Sequence, residues 1–333
     1  MGEGDRVLGM QTPRVLFVLP VFLIALFAVP CARTQAGGSA TMTPPQLVII
    51  DTDIGDDIDD AFALALALKS PELKILGVTT TFGNTEMRAR LLDRYLNAVG
   101  RSDIPVFAGP ASKTDNVMTQ AAYAERAPEK KHADGAQFIL REAREHPGEI
   151  TLIGIGPLFT VQAAIQRDPV AFRKLKRVVI MGGSIERGYG TDGQGKPKPP
   201  EPEWNIDRDP AGAKALLASG VPVFMMPLDS TQVPLDASRR EAIFAHGSPL
   251  TDQLTLLYHQ WMAGSHNQTP TLFDPVAVTY TFRPDLCPAK PMHIDVDDKG
   301  LTSEGQGAPN AQVCLHSDEQ GFLDLLMNRV TAQ

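Results

Sequence analysis

The chain has 333 residues, of which 43% are hydrophobic and 21% charged, with 28 glycines and 27 prolines. This composition is typical of a globular protein with many loops, and it excludes a disordered chain, collagen and a coiled coil. A formal net charge of −8 and an isoelectric point near 5.4 argue against nucleic-acid binding, which needs a dominant basic surface. A small-molecule or metal partner fits this composition better.

The N-terminal segment predicts export from the cytoplasm. Residues 15–29 form an apolar run that is short for a membrane span, and they follow Arg6 and Arg14. This pattern is typical of a secretory signal peptide, which we place at residues 1–36, and it predicts a periplasmic or extracellular protein. The alternatives are a retained anchor and lipidation at Cys31, whose preceding residues suit a lipidation signal poorly.

Cleavage after Ala36 would leave a flexible mature N-terminus over residues 37–46 and one catalytic domain over residues 47–333. We expect no stable membrane insertion once the signal is removed. Export would also place Cys287 and Cys314 in an oxidising compartment, where they could pair. Two buried free thiols are the alternative, because spacing alone does not bring two Cα atoms within reach of each other.

From residue 47 onward, short β-branched runs alternate with helical stretches rich in Ala and Leu. We predict strands over 47–50, 75–81, 150–156, 177–183 and 221–226, and helices near 59–69, 86–99 and 210–219. The stretch 61–68 also has the period of a strand, but its Ala and Leu residues favour a helix. This alternation predicts an α/β fold with a single open, mostly parallel Rossmann-like sheet and helices on both faces. Ligands are expected beyond the carboxyl ends of the strands.

Six aspartates lie between residues 51 and 60, where the first strand ends and the next helix begins. Carboxylates at this density repel each other, and a hard divalent cation would relieve the repulsion. The alternative is a solvated acidic turn whose aspartates cap the helix, although a single capping residue would suffice. We therefore predict a metal site at this edge of the sheet.

Three later motifs are weak when each is taken alone. Asp274 precedes Pro275 and an apolar helix, which is typical of a helix N-cap. Residues 154–158 turn sharply from a strand into a helix and expose backbone carbonyls at the sheet edge. Residues 203–207, Glu-Trp-Asn-Ile-Asp, place a carboxylate and an amide beside an aromatic ring, directly after the longest loop-like stretch, 186–203.

Together and in this order, the motifs resemble those of the nucleoside hydrolases, calcium-dependent N-ribohydrolases that are often described as inosine–uridine preferring. The resemblance covers nearly all of the chain after the export segment. Its other parts are Thr81-Phe82-Gly83-Asn84, His132-Ala133-Asp134-Gly135, Met181-Gly182-Gly183 and a C-terminal helix over residues 321–330. A strand followed by Asp-x-Asp also opens the haloacid-dehalogenase phosphatases, but those continue with Thr or Val where this chain has Gly55.

The resemblance implies a calcium site and a catalytic base. The ion would be held by oxygen atoms of Asp53, Asp60 and Asp274 and by the backbone carbonyl of Ile155, a donor set that suits calcium. It would also bind the ribose hydroxyls and a water. Because calcium is a weak Lewis acid, that water needs a base beside it, and Asp59 is implied in this role.

The resemblance also implies how the substrate is bound. The sugar hydroxyls and the oxocarbenium-like transition state would be stabilised by Asn84, Glu203 and Asn205, with direct attack by water as in glycoside hydrolysis. Trp204 is expected to stack on the base, and a buried core tryptophan is the alternative. Phe273 stands where many inosine–uridine members have a histidine that protonates the departing base. Three alternatives are open: another residue acts as the acid, the Phe273 ring only stacks on the base, or the base leaves without protonation.

Two further features leave alternatives open. Residues 56–58 include a two-residue insertion relative to the family pattern, so Asp56 or Asp57 rivals Asp59 as the base and Asp60 as the ligand. An Asn expected after Met181-Gly182-Gly183 is replaced near Gly188-Tyr189. His132 could lie near the base pocket, with a structural or solvated histidine as the alternative. The stretch that contains Tyr258, His259, Trp261 and His266 is a further candidate region for the missing acid because of its histidines, although helical spacing makes Tyr258 and Trp261 more typical of a core.

The sequence thus predicts an exported, calcium-dependent hydrolase of N-glycosyl compounds, which cleaves ribonucleosides, purine or pyrimidine, into ribose and free base. An N-ribohydrolase for another ribosyl compound, such as nicotinamide riboside, is one alternative. A secreted nucleoside- or sugar-binding protein without turnover is another. The family resemblance also implies a homo-oligomer, a dimer or a tetramer.

Overall fold

The computed structural model describes residues 13, 15–17, 19 and 44–332. The predicted signal peptide over residues 1–36 and the mature N-terminus over residues 37–46 lie almost entirely outside the described residues, and both stay predictions. Within the described part of the chain, no helix is long and apolar enough to cross a membrane. The residues from Pro44 onward form one compact unit.

The described strands form one large sheet and one small hairpin. They are β1 (Gln46–Thr52), β2 (Leu73–Thr80), β3 (Val106–Ala108), β4 (Thr151–Ile155), β5 (Arg177–Met181), β6 (Val223–Met226), β7 (Lys290–Met292), β8 (Ile294–Val296), β9 (Thr302–Glu304) and β10 (Ala311–Val313). The large sheet has the order β3-β2-β1-β4-β5-β6-β10-β7, and β8 pairs with β9. All neighbours in the large sheet are parallel except β10 and β7. The predicted open, mostly parallel sheet is confirmed.

Helices connect the strands and cover both faces of the sheet. They are α1 (Asp59–Leu68), α2 (Thr85–Ala98), α3 (Ala121–Ala124), α4 (Gly135–Glu145), α5 (Phe159–Arg167), α6 (Pro169–Phe172), α7 (Trp204–Arg208), α8 (Pro210–Leu217), α9 (Leu228–Thr231), α10 (Ala237–Ala245), α11 (Pro249–Ser265), α12 (Phe273–Tyr280) and α13 (Glu319–Val330). The ambiguous Ala- and Leu-rich stretch after residue 60 is the helix α1, as predicted.

The core lies on both sides of the sheet because side chains alternate along each central strand. Val48 and Ile50 of β1 belong to one buried apolar cluster, which also contains side chains of α1, α2, α11, α12 and α13. Ile49 points to the other face and belongs to a second cluster, with α4, α5 and α8. A strand buried on both faces has no polar alternation, which explains its continuous apolar run.

The order of the strands determines where the site lies. The chain runs outward from β1 to β2 and β3, and then returns to β4 on the other side of β1. A crevice opens where the strand order reverses, beyond the carboxyl ends of β1 and β4. The aspartate-rich segment follows β1, and the turn at residues 156–158 follows β4, so both meet at this crevice.

A disulfide bond joins Cys287 and Cys314, whose Cα atoms are 5.7 Å apart. Cys314 directly follows β10, and Cys287 precedes β7, the antiparallel neighbour of β10 at the edge of the sheet. The structure therefore contains the paired form of these cysteines and not two buried free thiols.

Loss of this disulfide is expected to lower the free energy of unfolding by about 3.5 kcal/mol, because the bond closes a loop that spans 27 positions. The measurement is urea unfolding of the wild type and of Cys287→Ser/Cys314→Ser, each with and without a reducing agent. Reduction should destabilise the wild type and leave the double variant unchanged. Identical urea midpoints for the oxidised wild type and the variant would contradict the expectation.

Candidate active site

A cavity of about 660 Å³ lies at the crevice beyond β1 and β4. Its walls come from the aspartate-rich turn before α1, the loop around residues 115–119, the ends of β4 and β5, the start of α7, the end of α11 and the start of α12. Most of the site residues predicted from the sequence lie in these walls. The cavity volume is in the usual range for a small-molecule site.

Three buried carboxylates form the centre of the site. Oxygen atoms of Asp59, Asp60 and Asp274 all lie within 4.8 Å of one another. Asp59 and Asp60 begin α1, Asp274 lies in the first turn of α12, and these two helices pack against each other. The backbone N–H of Asp274 donates to Asp59 Oδ2 at 3.1 Å. The packing of the helices thus joins residues that are 215 positions apart in the chain.

Asp53 and Ile155 complete the predicted donor set along the same edge. Asp53 directly follows β1, Ile155 ends β4, and both line the cavity. The next residue, Gly156, passes so close that a Cβ there would lie 2.8 Å from the Asp53 nitrogen. A larger residue at 156 would therefore displace Asp53, which gives a physical reason for the glycine in this turn.

The electrostatics of the site favour a cation. Burial raises the pKa of Asp53 to about 7, while Arg88 lowers it and Asp56 raises it further. Burial and neighbouring carboxylates also raise the pKa values of all three central carboxylates well above their ordinary range. Carboxylate and carbonyl oxygens are the ligands of hard cations, and neighbouring buried carboxylates that repel one another are unfavourable without a cation. The residues present fit a calcium ion.

The two rival aspartates of the insertion line the cavity but have other hydrogen-bond partners. The Asp56 carboxylate forms an ion pair with the buried guanidinium of Arg88 at 2.8 Å. Asp57 is exposed, and its Oδ1 accepts a hydrogen bond from the Ile58 nitrogen at 2.7 Å. The carboxylates of residues 59 and 60, and not those of the insertion, lie with Asp274.

Glu203 and Asn205 are held by backbone groups at the start of α7. Glu203 caps this helix and accepts hydrogen bonds from the nitrogens of Asn205 (2.9 Å), Ile206 (3.2 Å) and Gly183 (2.9 Å). Burial raises the pKa of Glu203 to about 7, although these three hydrogen bonds lower it. The amide nitrogen of Asn205 donates to the Met181 carbonyl at 3.0 Å. Both side chains line the cavity in fixed orientations.

Asn84 is not brought into the site. It is exposed, does not line the cavity and caps α2, where its Oδ1 accepts from the Met87 nitrogen at 3.1 Å. Phe82 and Gly83 both have left-handed backbone angles, with φ of 63° and 62°. These angles turn the chain so that Phe82 is buried and Asn84 faces outward. The sequence motif did not distinguish a capping asparagine from a sugar ligand.

Trp204 lines the cavity but is held by contacts to protein groups. The Arg208 guanidinium lies 4.0 Å from its ring centre, and Phe82 packs edge-on at 5.9 Å. Its side chain also lowers the pKa of the Asp53 carboxyl. The stacking of Trp204 on a base stays a prediction.

Tyr189 is a site residue that the sequence patterns left without a role. It lines the cavity, and its ring packs edge-on against Phe273 with centres 6.0 Å apart. Its hydroxyl oxygen accepts a hydrogen bond from the Trp204 backbone nitrogen at 2.9 Å. The hydroxyl proton of Tyr189 has no acceptor among residues 44–332. Burial raises the pKa of Tyr189, and the charge of Glu203 adds to this effect, so the hydroxyl remains a donor. The only indication of Tyr189 in the sequence was that the asparagine expected from the family pattern is replaced near this position.

The suggested histidines lie elsewhere. His132 is buried between Glu86 (2.7 Å) and Asp93 (2.9 Å), which tie it to α2. Of the cluster before α12, Trp261 lines the cavity, whereas none of the histidines between residues 44 and 332 does. Tyr258 donates its hydroxyl proton to the Gln268 carbonyl at 2.8 Å, consistent with a core role. The structure therefore offers no histidine of the described region as the acid.

Comparisons with known proteins identify the family. The model of the inosine-uridine preferring nucleoside hydrolases matches residues 48–324. The pyrimidine-specific ribonucleoside hydrolase RihA of Citrobacter koseri is 32% identical over 315 residues, which cover 85% of this chain and 97% of that protein. RihA of Enterobacter sp. is 31% identical over 318 residues, with the same coverage.

Solved structures of nucleoside hydrolases share the fold of this chain. The plant nucleoside hydrolase PpNRh1 superimposes with a TM-score of 0.76 and 26% identity, covering 87% of this chain and all of that one. The purine-preferring ribonucleoside hydrolase from Gardnerella vaginalis shares the fold, with a TM-score of 0.72, 24% identity and coverage of 86% and 98%. The chain belongs to the inosine–uridine preferring nucleoside hydrolases, enzymes that hydrolyse the N-glycosidic bond of ribonucleosides.

Proposed function

We propose that this protein is an exported, calcium-dependent ribonucleoside hydrolase in which Asp59 activates the attacking water. The main observation that supports the proposal is the cluster of three buried carboxylates, Asp59, Asp60 and Asp274, in the wall of the cavity. Mutually repelling carboxylates are costly in a core unless a cation is bound, so this arrangement supports a role in metal binding.

Calcium would be held by Asp53, Asp60, Asp274 and the Ile155 carbonyl. When bound, it supplies positive charge that positions the sugar hydroxyls and a water. Asp59 is placed to act as the base, because it lines the cavity and its Oδ2 is fixed by the Asp274 N–H. Proton abstraction by a positioned carboxylate then generates the nucleophile that attacks the anomeric carbon.

The sugar is proposed to bind along Glu203 and Asn205. Their side chains line the cavity and are already fixed by backbone hydrogen bonds, so little conformational entropy is lost on binding. The negative charge of an ionised Glu203 would stabilise the oxocarbenium-like transition state. Asn84 is left out of this set because it faces outward as a helix cap.

Tyr189 is the proposed hydrogen-bond donor to the substrate beside Phe273, where the family histidine is missing. Tyr189→Phe removes only the hydroxyl and is expected to lower kcat/KM for nucleosides roughly tenfold, the size of one lost hydrogen bond. The measurement is steady-state kinetics on uridine and inosine. Phe273→Leu serves as a packing control, because it perturbs the same contact without removing a donor. A Tyr189→Phe enzyme with wild-type kcat/KM would remove Tyr189 from this role.

Export is supported by two independent features. The apolar run at residues 15–29 has the length of a signal peptide. The Cys287–Cys314 disulfide is typical of proteins in oxidising compartments. Expression with the full N-terminus should therefore release a mature protein that begins after Ala36, as determined by intact-mass measurement of the secreted fraction. An uncleaved chain in the cytoplasm would contradict the proposal.

A substrate panel with calcium tests the activity. The first substrates to assay are uridine and cytidine, because relatives that are up to 32% identical are pyrimidine-specific. Inosine is the purine nucleoside for comparison. Release of ribose from any nucleoside supports the proposal, and release from nicotinamide riboside alone would assign a different ribosyl substrate. Because Phe273 replaces an acid, binding of ribose or nucleoside without product would identify a binding protein that has lost turnover. Light scattering on the same sample tests the proposed homo-oligomer.

A further inference from the structure

One wall of the cavity is attached to the inserted residues of the aspartate-rich turn. We call residues 56–58 the inserted turn and residues 115–119 the outer wall. Thr119 Oγ1 donates to the Asp56 carbonyl at 2.6 Å, and Gln120 Nε2 donates to the Asp57 carbonyl at 2.7 Å. The Gln120 nitrogen also donates to the Gly55 carbonyl at 3.0 Å. The backbone of the inserted turn thus holds the end of the outer wall.

The Asp56 carboxylate links this wall to the protein interior. Its Oδ2 accepts from Arg88 Nη2 at 2.8 Å and from Asn116 Nδ2 at 2.7 Å. The Arg88 side chain is only 3% exposed, and it also donates to the carbonyls of Phe82 (2.9 Å) and Ile54 (3.0 Å). One oxygen therefore joins a buried, rigid guanidinium to an amide on the exposed rim of the cavity.

Met118 anchors the outer wall by packing its side chain against the core beside Gly55, whereas the rim of the wall is exposed. Val117 is 79% exposed, and the side chain of Asn116 is exposed apart from its bond to Asp56. On its far side, Thr119 contacts the end of α11 so closely that a Cβ at Gly264 would lie 2.9 Å from Thr119 Cγ2. A tethered exposed loop of this kind depends on its hydrogen bonds for order.

The outer wall and the sugar site occupy different parts of the cavity. The proposed sugar and metal ligands extend from the ends of β1, β4 and β5 and from the helices that begin there. Besides Tyr189 and Phe273, the remaining lining comes from the outer wall and from Trp261, Gly264 and Ser265 at the end of α11. A nucleoside whose ribose lies on the carboxylates would place its base between these groups, with the outer wall on one side.

We infer that Asp56 is a positioning residue for base recognition: it holds the outer wall against the nucleobase through Arg88 and Asn116, and it is neither a metal ligand nor the catalytic base. This inference rests on the proposed nucleoside hydrolase activity. It gives the inserted turn, which the family pattern lacks, a role in substrate selection.

The test compares Asp56→Asn and Asn116→Ala with the wild type in steady-state kinetics on uridine, with calcium present. Each variant should raise KM about tenfold and change kcat less than twofold: Asn116→Ala removes the hydrogen bond that orders the wall, and Asp56→Asn removes the charge that pairs residue 56 with Arg88, while the chemistry is untouched. The inhibition constant of ribose, which does not reach the wall, should stay at its wild-type value. Asp103→Asn, which breaks the exposed pair with Arg101, is the matched control and should change neither constant.

Asn116→Ala keeps the test decisive if Asp56→Asn folds poorly, because Asn116 lies on the exposed rim and Arg88 keeps its partner. The double variant Asp56→Asn/Asn116→Ala should have the KM of the more affected single variant, since both substitutions weaken the same link between Arg88 and the wall. A KM for Asn116→Ala equal to that of the wild type would overturn the inference. So would a loss of kcat and of ribose inhibition in Asp56→Asn, which would place Asp56 in the metal site. Failure of the proposed activity is a separate result, because the wild type would then release no ribose.

Discussion

Replacement of Asp59 by asparagine is expected to lower kcat for nucleoside hydrolysis by a factor of about 10³, within the usual range for loss of a general base. Asparagine has the same shape, and its oxygen can still accept from the Asp274 N–H, so the packing of α1 and α12 is kept. The amide cannot remove a proton from water. The measurement is release of reducing sugar from uridine at saturating calcium, so that a weaker metal affinity does not limit the rate.

Ribose binding provides the control for this variant. The chain has two tryptophans, and both line the cavity, so their fluorescence should report the bound sugar. Asp59→Asn should bind ribose with nearly the wild-type affinity while turnover is lost. Turnover within threefold of the wild type would show that the base is another carboxylate, with Asp57 of the inserted turn as the next to replace.

Removal of divalent cations is expected to abolish turnover and to lower the melting temperature. Without a cation, Asp59, Asp60 and Asp274 hold repelling charges in a buried group. Addition of calcium to 100 times its Kd should restore turnover and stabilise the folded state by about 2.7 kcal/mol, because the ion binds only the folded site. Thermal unfolding and activity are measured in a chelator and during a calcium titration, with magnesium as the comparison ion.

Asp274→Asn separates metal binding from simple charge repulsion. The variant removes one of the repelling carboxylates, so it should be more stable than the wild type in the chelator. It also loses a ligand, so calcium should no longer raise its melting temperature appreciably. The order of stability of the two proteins is therefore expected to reverse when calcium is added. An equal calcium response in both proteins would show that Asp274 does not bind the ion.

The fold was largely predictable because its signals are local. The strand β1 and the helix α1 follow from a β-branched run and from an Ala- and Leu-rich stretch closed by Ser70-Pro71. Their alternation along the chain predicted the parallel sheet, and the sheet in turn predicted a site at the carboxyl ends of its strands. The donor residues at positions 53, 60, 155 and 274 came from family motifs, and the structure places all of them around one cavity.

Other parts of the site depend on contacts that no local pattern encodes. The motif that contains Asn84 does not show that left-handed angles at Phe82 and Gly83 turn this side chain outward. Tyr189 lies in a long loop, and only its packing on Phe273 and its bond to the Trp204 backbone nitrogen place it in the wall of the cavity. His132 stood in a family motif, yet two acidic side chains of α2 bind it away from the cavity.

The sequence by itself determined the class of the protein: an acidic α/β chain whose ordered motifs belong to the nucleoside hydrolases. It could not decide which of six neighbouring aspartates serve the metal and the water, because an insertion makes the register ambiguous. Only the tertiary structure shows that packing of α1 on α12 brings Asp274 to Asp59 and Asp60 while Arg88 pairs with Asp56, and this arrangement supports the proposed roles. Propensity and periodicity act between near neighbours in the chain, whereas the site is assembled by helix packing and charge pairing between distant segments.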